Sequence, residues 1–213
     1  MRLTKLAHAG VKLVKDGATL VIDPGTFGSG TQALAEADAV LITHEHSDHL
    51  DAGALREALD ARPGLQVRAS TAVAGQVGSF RGRVQPVRHG DTFSVAGFRV
   101  HVHGQEHAQS HQEIPVVPNV GFLVDGELFH PGDALTVPDE HVPTLLVPVC
   151  APWLKSAEFV DYFREVNPRR GFAIHDAMLS EFGLMVLEGY LEFAAEARDA
   201  ALTRLEPGAT IDL

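Results

Sequence analysis

The sequence predicts a layered α/β domain, with β-sheets covered by helices. Three observations carry this. Asp-Gly pairs flanked by alternating apolar runs occur at Asp16-Gly17 and Asp125-Gly126, the strongest short-range hairpin signal. Short continuous apolar runs, such as Ala39-Val40-Leu41-Ile42 and Thr144 to Val149, have the length of strands buried on both faces. Helical patterns of six or more residues alternate with these runs, which is the order of a sheet packed under helices.

Taken in order, Leu3 to Asp23 reads as a hairpin about Asp16-Gly17, stopped by Asp23-Pro24-Gly25. A Gly- and Ser-rich loop leads to a short helix around Gln32 to Ala37, and then to the strand Ala39 to Ile42. Ala52 to Ala61 has helical spacing and ends before Pro63-Gly64. Gln66 to Ala69 reads as a strand, Ala72 to Val77 as a small helix and Arg83 to Arg88 as another strand. Two further hairpins follow, Phe93–Val95 with Phe98–Val102 about Ala96-Gly97, and Val120–Val124 with Glu127–His130 about Asp125-Gly126. After the strand at Thr144, Ser156 is placed to cap a helix that stops at Asn167-Pro168. Phe172 to Ile174 is a strand, Glu181 to Leu202 the longest helical pattern, and Thr210 to Leu213 a closing strand. No linker or repeat divides residues 1–213, so one domain is expected; a chain of this length can bury roughly 70% of its unfolded surface.

Composition excludes several classes of function. A single cysteine among 213 residues cannot form an internal disulfide or a Cys-only zinc site. The net charge of -11, from 28 acidic and 17 basic residues, argues against a partner such as long nucleic acid, whose binding rests on cationic contacts to phosphate. The longest nearly unbroken apolar run, Leu145 to Leu154, holds two prolines and falls short of the roughly 18 residues of a membrane span. The N-terminal segment has no apolar core of a signal peptide, so the expected location is cytoplasmic.

The unusual feature is histidine, with 12 in the chain. Thr43-His44-Glu45-His46-Ser47-Asp48-His49 places three of them and an aspartate directly after a buried strand, where sites of α/β sheets lie. His44 and His46, two apart in an extended segment, point the same way. Asp48 and His49, read as the start of the next helix, face elsewhere. This suits two neighbouring cations, since imidazole and carboxylate are ligands for zinc, iron and manganese.

The motif His44-x-His46-x-Asp48-His49 resembles the signature of the metallo-β-lactamase superfamily. Asp23-Pro24-Gly25 is similar to that family's early aspartate loop, Gly132-Asp133-Ala134 to its Gly-Asp motif, and Ile174-His175-Asp176 to its last histidine. The resemblance covers nearly the whole chain. It implies a four-layer αβ/βα sandwich with two mixed sheets, and two divalent metal ions, zinc first, with manganese or iron as alternatives. Carried over residue by residue, one metal takes His44, His46 and His107. The other takes Asp48, His49 and His175, and Asp133 bridges them. His103 and His111 compete with His107 for the third position on the first metal. The implied activity is hydrolysis of a small ester-type substrate (lactone, phosphoester or thioester), with an anionic small molecule among the expected partners, by a metal-bridging hydroxide that Asp48 orients. The stretch Ala7-His8-Ala9 and the compact length are similar to the ascorbate-phosphate lactonase-like branch. Two alternatives stay open: a non-catalytic or sensory metal-binding protein, and a di-iron redox protein. Position 46 is histidine, whereas the di-iron branch carries a carboxylate there.

Asp23, at a neighbouring strand end, is expected to accept a hydrogen bond that fixes a ligand imidazole's tautomer. His8, Phe27, His130 and Trp153 are candidates to line a pocket. Cys150 reads as a buried, inert thiol. Oligomeric state is not legible.

Overall fold

A computed structural model describes residues 1–196 and 198–213. It contains two seven-stranded sheets. The strands are β1 (Arg2–Ala7), β2 (Gly10–Lys15), β3 (Ala18–Ile22), β4 (Ala39–Ile42), β5 (Gln66–Ala69), β6 (Val84–Pro86), β7 (Thr92–Val95), β8 (Phe98–His103), β9 (Gly121–Val124), β10 (Leu128–His130), β11 (Thr144–Pro148), β12 (Arg170–Ile174), β13 (Ala201–Arg204) and β14 (Thr210–Asp212). The helices are α1 (Gly30–Glu36), α2 (Ala52–Ala61), α3 (Thr71–Val77), α4 (Ser156–Val166) and α5 (Glu181–Ala195). The first sheet runs β14-β1-β2-β3-β4-β5-β6 and the second β13-β12-β11-β10-β9-β8-β7. Each is mixed: β3 to β6 are parallel in the first sheet and β10 to β13 in the second, with antiparallel strands completing both.

Three apolar clusters set the layers. One lies between the sheets, with Leu13, Leu20, Leu41, Phe98, Phe122 and Leu146 fully or almost fully buried. A second packs α1, α2 and α3 on the outer face of the first sheet through Leu34, Leu55, Leu59 and Val73. A third packs α4 and α5 on the outer face of the second through Phe159, Phe163, Leu187 and Leu191. Alternate residues of a strand serve opposite faces, so Leu20 and Ile22 enter the inner core while Val21 enters the outer one. The result is the expected four-layer sandwich.

Four local expectations change. The first segment contains an additional turn at His8-Ala9, which separates β1 from β2; His8 takes a left-handed φ of 49° there. Asp48 and His49 lie in a turn, with His49 N–H and Leu50 N–H donating to the His46 carbonyl, and α2 starts only at Ala52 behind the Asp51 cap. Lys155, rather than Ser156, precedes the first turn of α4, and its N–H donates to the Glu158 carboxylate. The helical pattern read to Leu202 stops at Ala195, and Ala201–Arg204 instead pairs in parallel with β12. The open edge of β12 offers unpaired backbone groups, and a ladder there satisfies them where further helix would not. Ala197 lies outside the described residues.

Candidate metal centre

The carboxyl ends of β3, β4, β10 and β12 meet along one edge of the sandwich. Each delivers part of one cluster: Asp23 follows β3, His44 to His49 follow β4, Asp133 follows β10 and His175 follows β12. β1 ends at the same edge and brings His8, and the loop after β8 brings His107. Three of these residues are non-glycine residues in left-handed backbone: His8, Asp23 and His175, with φ of 49°, 49° and 66°. Such conformations persist only where surrounding structure holds them, and they gather at functional sites.

Two groups of side chains place one donor atom each within 4.8 Å of one another. The first is His44, His46, His107 and Asp133; the second is His8, Asp48, His49 and His175. Asp133 also joins the second group, because its Oδ1 lies 3.0 Å from His49 Nε2 and 3.1 Å from His175 Nε2, while its Oδ2 lies 3.4 Å from His107 Nε2. Asp48 Oδ2 lies 3.3 Å from His175 Nε2 and 3.7 Å from His49 Nε2.

Hydrogen bonds behind the rings select the tautomers. His49 Nδ1 donates to Asp23 Oδ2 at 2.7 Å, His107 Nδ1 to the Ala108 carbonyl at 2.5 Å, and His175 Nδ1 to the Cys150 carbonyl at 2.6 Å. The Thr43 hydroxyl gives its proton to Asp23 Oδ2 at 2.7 Å, so at 3.0 Å it accepts from His44 Nδ1. Four imidazoles are therefore held with Nδ1 protonated and Nε2 turned to the centre. Of these atoms, the buried Nε2 of His49, His107 and His175, together with Asp133 Oδ1, lack a hydrogen-bond partner. They lie close to one another without the direction of hydrogen bonds. A buried polar atom left so is costly, and several aimed at shared points are the arrangement of a cation's ligands. The donor set of imidazoles and carboxylates suits divalent zinc, manganese or iron.

The electrostatics agree. Burial pushes the His175 imidazole down, but the Asp133 and Asp48 carboxylates outweigh it and raise its pKa to about 9. Burial likewise opposes charge on His49, and Asp133 and Asp23 reverse that effect and hold it well above the usual histidine range. Burial alone would raise the Asp133 carboxyl, yet His49, His107 and His175 keep it well below the usual carboxylate range. His44 is held well below the usual histidine range by burial and by the charge on His49, which Asp133 only partly offsets. Without a cation, protons on His49 and His175 balance the carboxylates. A divalent ion supplies the same positive charge.

The remaining sequence candidates fall as follows. Asp23 is fully buried and accepts from the Thr43 N–H at 2.8 Å as well as from Thr43 and His49 side chains. His8 is buried; its Nδ1 accepts from Ala177 N–H at 3.3 Å, so its Nε2 donates to Asp48 Oδ2 at 3.1 Å. Trp153 donates from Nε1 to Asp133 Oδ2 at 3.0 Å and packs its ring against His107. Phe27 is 44% exposed and stacks edge-on with His8 at the rim. His130 lies beneath the site rather than on its wall: fully buried, it donates to the Ala9 carbonyl and accepts from Gly132 N–H. Among the three rivals at and beyond the end of β8, His107 joins His44 and His46. His103 turns to His101 and Glu140, and His111 is exposed and accepts from Glu113 N–H.

Sequence reasoning missed three supports. Thr43 links Asp23 to His44, and its position beside the motif was its only signal. Asn119 Oδ1 accepts from Asp133 N–H at 3.0 Å while its amide donates to the Pro131 carbonyl. Lys5 is fully buried, donating to the His8 and Ala173 carbonyls and pairing with Asp176, which in turn pairs with Arg204. Nothing in the alternating pattern of β1 marks Lys5 or Asn119 as part of the site.

Residues 2–175 match the family model of the β-lactamase superfamily domain. The chain belongs to that superfamily. It is 40% identical over 186 residues to the protein Rv0786c of Mycobacterium tuberculosis, covering 84% of this chain and 86% of that one. It is 31% identical over 145 residues to the UPF0173 metal-dependent hydrolase MK1542 of Methanopyrus kandleri, covering 62% of each. Among solved structures it is similar to Igni18, a metallo hydrolase from Ignicoccus hospitalis. The TM-score is 0.74 at 16% identity, over 100% of this chain and 98% of the other. Superfamily and fold expectations are thereby met.

Proposed function

We propose that this metal-dependent hydrolase works through two divalent cations held along Asp133 and cleaves a small ester-type substrate. His44, His46 and His107 would hold one cation; Asp48, His49 and His175 would hold the other, with one Asp133 oxygen toward each. The observation that carries the reading is the set of buried, unpartnered atoms on His49, His107, His175 and Asp133, with each of the three imidazoles turned inward by a bond behind its ring. When bound, such cations lower the pKa of water to about 7 and polarise a substrate oxygen.

The chain's own residues do the rest. Asp48, 22% exposed, stands at the opening of the site. Burial opposes its charge, but His175 and His8 stabilise the ionised form, so it stays a carboxylate able to orient the attacking water. His8 is a positioning residue for Asp48, Trp153 for Asp133, and Asp23 for His49. Half-exposed Phe27 and the Trp153 ring supply apolar surface near a centre whose cations attract an anionic group. A small anionic lactone, thioester or phosphoester fits this description, and the resemblance of Ala7-His8-Ala9 to the lactonase-like branch places lactones first. Zinc is the first metal to test, then manganese and iron.

The test is metal analysis joined to a hydrolysis panel of lactones, thioesters and phosphodiesters. The native chain is expected to carry two equivalents at this centre, and Asp133→Ala or His46→Ala to lose metal and turnover together. Full metal content and turnover in Asp133→Ala would overturn the assignment. A preference for bis-aryl phosphodiesters would overturn the ordering that puts lactones first.

A further inference from the structure

A separate histidine cluster remains on the outer face of the second sheet. His101 and His103 are two apart on β8 and project from the same face, opposite to Val100 and Val102, which enter the inner core. Glu140 comes from the loop that leads to β11. His101 Nδ1 contacts Glu140 Oε1, and His103 Nε2 lies 3.3 Å from the same oxygen. The three donor atoms are within 4.8 Å of one another, and none belongs to the groups around Asp133.

The decisive atom is His103 Nε2. The side chain is only 4% exposed, its ring is packed edge-on against Phe129, and Nε2 has no hydrogen-bond partner despite the nearby carboxylate. It is aimed into the cluster but not at Glu140 as a hydrogen bond would be. His49, His107 and His175 show the same signature. Among the described residues, the only side chains paired with Glu140 are these two imidazoles, so neither Lys nor Arg competes for its carboxylate. His89 packs near His103 but its Nδ1 accepts from Gly104 N–H, which commits that ring to the backbone. His101 and Glu140 also line a shallow cleft of about 180 Å³, leaving one side open to water.

We propose that His101, His103 and Glu140 form an additional binding site for a divalent transition metal, of the zinc, cobalt or nickel class. Two imidazoles, one carboxylate and a water complete a four-coordinate shell for such an ion. The bound ion would clamp β8, which leads to His107, to the loop between Asp133 and β11. Its role is structural, since it ties together two segments that each carry a residue of the main centre.

The experiment compares metal content by mass spectrometry in full-length wild type, Glu140→Gln and the double variant His101→Ala/His103→Ala, all equilibrated with micromolar zinc and desalted. The expected result is one equivalent fewer in both variants than in wild type. The same loss is expected when Glu140→Gln is added to Asp133→Ala, in which the main centre is disabled. That background makes the two readings separable: failure at Asp133 leaves the difference due to Glu140 intact. Glu140 is exposed, so its glutamine variant is expected to fold, as circular dichroism would show. Equal zinc content in wild type and both variants would overturn the proposal.

Discussion

At the scale of single residues, the site depends on which ring nitrogen each histidine presents, and that choice is made one bond away. Asp23→Asn would leave His49 with an amide that can turn an N–H toward Nδ1, and so favour the wrong tautomer. A 10- to 100-fold loss of metal affinity or activity is expected, on the order seen when such outer partners are removed; a metal-chelator competition assay checks it. Trp153→Phe keeps the ring against His107 but removes the donor to Asp133 Oδ2. A loss of similar size in turnover is expected, with thermal stability nearly unchanged. The candidate donors and several supports were legible in the sequence, because His44, His46, Asp48 and His49 are adjacent in the chain. Choosing His107 over His103 was not, because both lie near one strand end and only the path of the loop separates them.

At the scale of elements, short turns do the positioning. Gly132 has φ of 65°, and a Cβ there would lie 2.2 Å from Asn119 Oδ1 and 2.7 Å from Thr43 Cβ. Gly132→Ala therefore meets both left-handed strain and contact with two site supports. A loss of about 2–4 kcal/mol in unfolding free energy is expected, with weakened metal binding, measurable by denaturant titration with and without zinc. Elements with strong local chemistry were legible: the Asp-Gly hairpins and the buried strands β4 and β11 stand where expected. Two of the errors fall where a distant partner decides. β13 forms because β12 offers an edge, and the turn at His8 forms where His175 holds the backbone from across the molecule: its N–H donates to the His8 carbonyl at 3.1 Å, and Lys5, three residues before the turn, donates to the same oxygen.

At the scale of the molecule, the buried Lys5–Asp176–Arg204 chain ties the first sheet to the second beside the site. Burial lowers the Lys5 pKa from 10.5 to about 8, and Asp176 only partly offsets this. The unfolded chain thus binds the proton more tightly, so this group's contribution to stability increases as pH rises from about 8 to 10.5. The gain is of order 3 kcal/mol at most. Lys5→Met is expected to flatten that rise in pH-dependent denaturant titrations; an unchanged slope would remove Lys5 as its source. Among the described residues, no helix is long and apolar enough to cross a membrane. α5 keeps Leu187 and Leu191 in the core while Phe182, Met185 and Phe193 remain exposed.

The sequence by itself determined the superfamily, the layered architecture and the donor types gathered at the candidate metal centre, because these reside in local signals: turn residues, apolar period, and a dense His/Asp motif at a strand end. Only the tertiary structure decided which loop histidine reaches the centre, how each imidazole is oriented, and that His101, His103 and Glu140 meet. Those outcomes rest on contacts between residues far apart in the chain. Their energies come from burial and hydrogen-bond direction, which exist only once both sheets have closed on one another.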